Sequence, residues 1–332
     1  MKETLNYLFN GNTLSREQAK ENLLSIGKGN HSEAEIASFL TVFNMRKILA
    51  TEMAGFRDAM VELCLAVDLS GYNTIDVCGT GGDGKNTFNI STLSAFIIAG
   101  TGTKVTKHGN YGLSSPCGSS NIFEYFGYNL SNEYGKLKKE LDETNLCYFH
   151  APLFHPAMKY VAPVRKALKV KTFFNMLGPL LNPSKPENQL AGVFDMEVLQ
   201  LYHSVFEEIG TNHVVIHSLD GYDEISLTGP FRYITNRADE TISPESLSME
   251  LVKPEDLHGG NTVEEAGKIF LNILENKGSS SQKNVVLANA AFALLCYYPD
   301  SPITDCIEMA KESLESGKAL QVLTKLIELN DN

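Results

Sequence analysis

Between residues 74 and 99 a short apolar run, a turn crowded with glycine and a long apolar stretch follow one another. The run Thr74 to Cys78 reads as a buried strand. The turn Gly79-Thr-Gly-Gly-Asp-Gly-Lys-Asn-Thr-Phe-Asn-Ile-Ser-Thr92 leads into Leu93-Ser-Ala-Phe-Ile-Ile-Ala99, which reads as a helix. A strand, a glycine-rich turn and a helix in that order make an α/β unit whose turn can hold an anion. Glycines let the backbone approach closely, and free N–H groups of the turn and helix start point at the charge. Asn89, Ser91 and Thr92 add side-chain donors and capping chemistry at the helix start. The turn is not a standard nucleotide loop. Gly79, Gly84 and Lys85 fit a Walker spacing, but Asn86 stands where Ser or Thr is required. Gly79, Gly81 and Gly84 fit the bare dinucleotide pattern, but Ala99 and Gly100 occupy the place, about 20 residues on, of the acidic ribose ligand. Alone, the turn is also readable as a tight turn with a capped helix.

Two further segments bear on it. Lys104-Val-Thr-Lys-His-Gly-Asn-Tyr-Gly-Leu-Ser-Ser115 reads as a strand ending near Lys107, followed by a Gly/Ser-rich loop and a helix starting near Ser119. Both loops then lie at the C-terminal ends of neighbouring parallel strands, where open α/β sheets bind ligands. Lysine, hydroxyls and two glycine-rich turns on one rim suit a phosphorylated sugar; the plainer alternative is a Ser/Gly-rich surface loop. The third segment, Asp220-Gly-Tyr-Asp-Glu-Ile-Ser226, follows the strand candidate 213–217 and carries the adjacent carboxylates Asp223 and Glu224. Such a pair suits magnesium, which takes one or two carboxylates with substrate phosphate oxygens and water. On a loop it is more often simply solvated.

Gly79-Thr-Gly-Gly-Asp83, Asn89-Ile-Ser-Thr92, Lys107-His-Gly-Asn110, His155-Pro-Ala-Met158, Val161-Ala-Pro-Val-Arg165, Asn175-Met-Leu-Gly-Pro-Leu180 and Asp223-Glu224 occur in this order over nearly the whole chain. In this the chain resembles the anthranilate phosphoribosyltransferases. The resemblance implies transfer of phosphoribose from phosphoribosyl pyrophosphate to anthranilate in tryptophan synthesis, with Mg2+. It implies that Gly79, Gly82, Asp83, Thr87, Asn89, Ile90, Ser91, Thr92, Lys107, His108, Gly109, Asn110, Ser114, Ser115 and Ser119 hold phosphoribosyl pyrophosphate. Gly79, His108, Asn110 and Arg165 would face anthranilate, and Ser91, Asp223 and Glu224 would bind the metal. The planar donor fork of Arg165 suits a carboxylate, although its residue-level reading is a helix-surface salt bridge. No catalytic side chain is implied: positioning and electrostatics carry the reaction, without a covalent enzyme intermediate. Many members of the family have Arg-Ala after Lys-His-Gly-Asn, and Ala-Asp after the later Gly-Ser. This chain has Tyr111-Gly112 and Ser120-Asn121. A pyrimidine nucleoside phosphorylase, the nearest rival, normally has Lys-His-Ser; a noncatalytic binding protein of the same fold is the second.

A net charge of −12 opposes broad nucleic-acid or anionic-membrane binding. Cys64, Cys78, Cys117, Cys147, Cys296 and Cys306 form no Cys-x-x-Cys pair, so no zinc knuckle or redox motif is suggested and a reduced, cytoplasmic setting is expected; Cys78 and Cys117 near the loops read as packing residues. No signal-peptide core or membrane-length apolar run is present.

The first 70 residues read as three helices. Ser15-x-x-Gln18 and Ser32-x-x-Glu35 are capping boxes, Gly27 is a stop, and a third pattern covers 52–67. Their apolar surface is buried either within the chain or in a homodimer; the resemblance favours the dimer. From Thr74, strands at 74–78, 103–107, 146–150, 190–194 and 213–217 alternate with helices at 90–99, 119–126, 133–144, 156–168 and 197–209. The alternation predicts a largely parallel sheet with helices on both faces. A flexible loop at 277–283 and a helix at 284–297 follow. The expected fold is α/β, like the nucleoside phosphorylase and phosphoribosyltransferase architecture. A small helical domain, residues 1–70 joined by part of 150–186, accompanies an α/β phosphoribosyl-binding and catalytic domain, 71–332. Gly71 and 150–186 are hinge candidates.

Overall fold

The computed structural model describes residues 1–112 and 115–330. The chain opens with α1 (Lys2–Phe9), α2 (Arg16–Gly27), α3 (Glu33–Met45) and α4 (Ala50–Glu62). Ser15 and Ser32 close reciprocal capping boxes with Gln18 and Glu35, as their spacing predicts. The sequence showed three helices here. It missed α1, where only Leu8 is buried, because so thin an apolar stripe gives little periodic signal. The expected helix over 52–67 stops at Glu62. Beyond it the chain leaves the helical path: Leu65 N–H bonds to Phe154 O at 2.8 Å and Val67 N–H to Pro183 O at 3.2 Å. The four helices pack on the middle of the chain. Phe173 stacks on Phe56 at 4.3 Å and meets Phe43 edge-on at 5.5 Å.

The sheet contains β1 (Ile75–Gly79), β2 (Val105–Gly109), β3 (Leu146–His150), β4 (Asn188–Gly192), β5 (Asn212–Ser218), β6 (Phe231–Thr235) and β7 (Asp239–Ile242). Their order is β3-β2-β1-β4-β5-β6-β7. The first five are parallel, at positions within two residues of those read from the sequence. β6 and β7 add an antiparallel edge that was not expected. β7 is mostly exposed and reads Asp-Glu-Thr-Ile, without the apolar content of a core strand.

The helices between are α5 (Ile90–Gly100), α6 (Ser119–Tyr125), α7 (Tyr134–Thr144), α8 (Ala151–Phe154), α9 (Ala162–Leu168), α10 (Met196–Ile209) and α11 (Val263–Leu274). The last three are α12 (Ser280–Tyr297), α13 (Ile303–Glu315) and α14 (Lys318–Glu328). The single helix expected over 156–168 is instead a 3-10 turn, Pro156–Tyr160, and α9, with α8 just before them, each with proline in its first two positions. Proline starts helices but cannot continue one. The expected loop at 277–283 is also corrected. Ser279 and Gln282 form a capping box that begins α12 at Ser280.

From β1 the chain steps outward to β2 and β3, then returns to the other side of β1 with β4. β1 and β4 are thus the strands between which the order reverses, and a crevice opens beyond their carboxyl ends. Gly79 and Gly192 are paired at those ends.

Candidate active site

Backbone packing brings the acidic turn to this crevice. After β5 the chain folds back so that Asp223 lies across the ends of β1 and β4. A Cβ on Gly192 would stand 1.7 Å from the Asp223 carbonyl oxygen, and one on Gly79 would stand 2.5 Å from its Oδ2. Only glycine fits either place. Asn289 of α12 fixes the turn, accepting from Ile225 N–H at 3.0 Å and donating to Ile225 O at 2.8 Å.

The loop after β1 wraps the same carboxylate. Gly81, Gly82 and Gly84 take φ of +65°, +81° and +75°. Gly81 N–H donates to Asp223 Oδ2 at 2.6 Å and Lys85 N–H to Asp83 Oδ1 at 3.0 Å. Thr87 bridges to His258, and Lys171 donates to Gly82 O at 2.6 Å. Ile90, Ser91 and Thr92 form the first turn of α5. Asn89 occupies its N-cap, but its side chain does not cap; it donates to Cys117 O at 3.1 Å, tying the first loop to the second. That corrects the capping role read from the sequence. Thr92 and Ser119 hydroxyls, 2.9 Å apart, make a second tie.

Charge is concentrated below these loops. Asp223 and Glu224 are 7% and 8% exposed, so the solvated reading of the pair does not hold. Burial, then the charge of Asp83, pushes the Asp223 carboxyl up to about 7. Burial and Asp223 drive Glu224 well above the carboxylate range, with Lys107 pulling against them. Lys107 is 1% exposed; it donates to Val77 O at 2.7 Å and lies 3.4 Å from Ser91 Oγ. Three acids around one lysine leave a deficit of positive charge. The donor set is all oxygen, carboxylates with the Ser91 hydroxyl, and therefore fits a hard divalent cation such as Mg2+.

On the other rim, His108 N–H donates to Asp76 Oδ1 at 3.1 Å, and its Nδ1 lies 3.2 Å from Gly178 O. Its Nε2 is buried without a hydrogen-bond partner among the described residues. Burial lowers His108 to about 3 and neighbouring His155 to about 4, so both rings are neutral near pH 7. A side chain at Gly109 would meet Tyr148 OH at 2.8 Å, so the Lys-His-Ser of a phosphorylase does not fit without movement. Asn110 Oδ1 accepts from Tyr111 N–H at 2.8 Å, and Ser115 donates to Cys117 O at 3.2 Å. Ser114 lies outside the described residues. Arg165 is not in a surface salt bridge. It lies against the Phe174 ring at 5.4 Å and donates to Asn175 Oδ1 at 3.2 Å, and burial lowers its pKa. Its segment runs on to Lys171, which touches Gly82, and to Gly178, which touches His108.

Residues 71–320 match a family described as the a/b domain of a glycosyl transferase family, and residues 2–64 match its helical bundle domain. The anthranilate phosphoribosyltransferase of Flavobacterium psychrophilum is 53% identical over 99% of this chain and 100% of that one. The chain belongs to the anthranilate phosphoribosyltransferase family. The crystal structure of the Thermus thermophilus enzyme superposes with a TM-score of 0.94 at 30% identity, covering 99% of each chain. The Saccharomyces cerevisiae enzyme in complex with PRPP and Mg gives 0.91 at 26%, over 98% of this chain and 96% of that one.

Within this family, the departures of the present chain support one another. Asn121 Oδ1 accepts from Gly112 N–H at 3.1 Å and Gly118 N–H at 2.9 Å, closing the second loop. Ser120 Oγ lies 2.6 Å from Tyr148 OH and 2.8 Å from His150 Nδ1. The Tyr111 ring rests on His150 at 4.8 Å while its hydroxyl donates to Glu124 at 3.0 Å. Sequence reasoning passed over Asp76, Asn289 and Lys171. Lys171 alone had a signal: Arg165, Lys166, Lys169 and Lys171 form a basic run in a chain of −12.

Proposed function

We propose that the chain transfers the 5-phosphoribosyl group of phosphoribosyl pyrophosphate to anthranilate, giving N-(5-phosphoribosyl)anthranilate and pyrophosphate, in tryptophan biosynthesis. The observation that carries this is the convergence of the glycine turn, Lys107 and the buried Asp223–Glu224 pair at the ends of β1 and β4. Gly79, Gly82, Asp83, Thr87, Asn89, Ile90, Ser91, Thr92, Lys107, His108, Gly109, Asn110, Ser115 and Ser119 bind the phosphoribosyl pyrophosphate. Gly79, His108, Asn110 and Arg165 receive anthranilate. Ser91, Asp223 and Glu224 hold Mg2+, which neutralises charge on the departing pyrophosphate when bound.

The bond from C1 of the ribose to pyrophosphate oxygen breaks while the anthranilate nitrogen bonds to C1, and the nitrogen then loses a proton to solvent or to the released pyrophosphate. An aromatic amine is already a free base near neutral pH, so the residues orient rather than abstract. Neutral His108 suits this, because its Nε2 retains hydrogen-bonding capacity without adding positive charge. Burial raises Cys78 to about 12, which keeps the thiol protonated and supports transfer without a covalent enzyme intermediate.

The helical region with part of 150–186 acts as one body and the sheet as another, with Gly71 and 150–186 as the hinge. A homodimer is part of the proposal. It is supported by an open groove of about 560 Å³ at α1 and α3, with Phe9 64% and Met45 81% exposed beside it. The free cysteines accord with a cytoplasmic setting.

The deciding experiment follows anthranilate and pyrophosphate together, with and without a chelator. Magnesium-dependent loss of anthranilate matched by pyrophosphate release is expected. Intact anthranilate with phosphoribosyl pyrophosphate still bound would overturn the acceptor. Arg165→Ala is expected to raise the KM for anthranilate at least about tenfold, a loss of roughly 1.4 kcal/mol, with the phosphoribosyl pyrophosphate KM little changed. Equal loss of both would make Arg165 structural.

A further inference from the structure

A second group of chemistry-bearing side chains lies at the opposite end of the sheet. His203 and Glu207 are one turn apart on α10, on one helix face. His213 is the second residue of β5, at its amino end. The active-site acids follow the carboxyl end of the same strand, roughly 16 Å away at about 3.3 Å per residue. His203 Nδ1 and His213 Nε2 are 2.8 Å apart, and Glu207 Oε1 is 4.0 Å from His213 Nε2. One ligand atom from each of the three residues lies within 4.8 Å of the others.

The surroundings orient these atoms as a metal site requires. His213 Nδ1 lies 3.0 Å from Thr211 O. A proton on Nδ1 makes that bond and leaves the Nε2 lone pair facing His203 and Glu207. A ligating imidazole commonly gives its other ring N–H to a backbone carbonyl in this way. Asn236 braces both sides: its amide donates to Glu207 Oε1 at 2.9 Å, and its carbonyl accepts from His213 N–H at 2.9 Å. The His213 side chain is fully buried, whereas that of Glu207 is 51% exposed, so an ion can reach the group from solvent.

We infer that His203, Glu207 and His213 form a second metal site, selective for a borderline transition-metal ion of the Zn2+ class and distinct from the all-oxygen magnesium site. Two imidazoles and one carboxylate are a donor set zinc uses, with a fourth position left for water. Magnesium, which favours oxygen ligands and keeps its waters, discriminates against it. On binding, the proton on His203 Nδ1 is exchanged through solvent to its Nε2, so that both facing ring atoms present lone pairs and both imidazoles stay neutral. The ion would clamp α10 to β5 away from the reacting atoms.

The test is calorimetric titration of the metal-stripped full chain with Zn2+ under saturating Mg2+, which occupies the carboxylates of the crevice. One equivalent of Zn2+ per chain and a rise in Tm are expected. His203→Gln and Glu207→Gln should each weaken binding by at least about tenfold, since losing even an outer partner of a ligand costs about 10–100-fold. Their magnesium-dependent turnover should be unchanged. Co2+ in place of Zn2+ should give the visible bands of a low-coordinate nitrogen–oxygen site, absent from both variants. If the unaltered chain takes up no Zn2+, or both variants bind it as tightly as the unaltered chain, the site does not exist. Should His203→Gln fail to fold, the half-exposed Glu207→Gln decides alone.

Discussion

The two glycine-rich loops of the active site use glycine for different reasons. In the loop after β1, Gly81 and Gly84 have positive φ and no atom within 4 Å of where a Cβ would stand. In the loop after β2, Gly109, Gly112 and Gly118 have no positive φ but are crowded: a Cβ on Gly118 would lie 2.3 Å from Gly112 N and 2.7 Å from Asn110 O. The first loop needs glycine for its backbone conformation, the second for space. Their fastenings differ too. Carboxylates hold the first, through Asp223 to Gly81 and Asp83 to Lys85. The neutral amide of Asn121 closes the second. A titratable clasp and a fixed one therefore face each other across the crevice.

The largest effect is expected at Gly118. Gly118→Ala drives a methyl into backbone atoms, so the loop must shift, at about 1–3 kcal/mol of overpacking. Turnover should fall more than about 100-fold, because misplacing binding groups by about 1 Å can cost that much. Full activity in a steady-state assay would refute crowding as the reason for this glycine. Gly81→Ala should cost about 1–2 kcal/mol in denaturant unfolding, from the left-handed backbone alone. Semisynthetic D-alanine separates the two cases: it should restore stability at position 81, where φ is positive, and fail at 118, where space is lacking. Asn121→Ala removes both bonds of the neutral clasp, and about a tenfold rise in the KM for phosphoribosyl pyrophosphate is expected, with kcat changed less.

The comparison also predicts a pH dependence. Asp223 titrates near 7 in the folded chain, against about 3.9 unfolded. Without metal, the folded state keeps a proton that the unfolded chain has released, so this group's contribution to stability falls as pH rises from about 4 to about 7. Mg2+ must displace that proton, and its affinity should rise with pH through about 7, with the raised Glu224 carboxyl acting in the same direction. His108, lowered to about 3, acts with the opposite sign. The unfolded chain takes up a proton below about 6.5 that the folded chain refuses, so that contribution is lost as pH falls. Hydrogen exchange across pH 7 should change protection at Gly81, whose N–H is held by Asp223, and leave Gly112 and Gly118 unaffected. Equal responses in both loops would remove the distinction between their clasps.

Much of this was legible because it is local. The capping boxes at Ser15 and Ser32 are closed by residues three positions on. The same signal is present at Ser279-x-x-Gln282, where Gly278 and a run of serines make the stretch resemble a flexible polar loop. The helix expected at 156–168 failed for a reason also visible in the sequence, its prolines. For Arg165, a basic residue on a short helix gives no sign of whether a carboxylate or the face of Phe174 awaits it.

The sequence by itself determined the alternation of strands and helices, the glycine turn between β1 and α5, and the family to which the chain belongs. Those depend on dihedral preferences, capping and side-chain periodicity within a few residues. Only the tertiary structure decided that Asp223 and Glu224 are buried, that Asn89 reaches Cys117 rather than capping its helix, and that Lys171 meets Gly82. The same Asp-Glu pair on an open loop would stay solvated and ordinary. It is buried and raised in pKa because the strand order sets β4 beside β1, and glycines at both strand ends let the turn after β5 close over them. Burial is a property of what lies opposite, and no window of sequence around Asp223 contains Gly79 or Gly192.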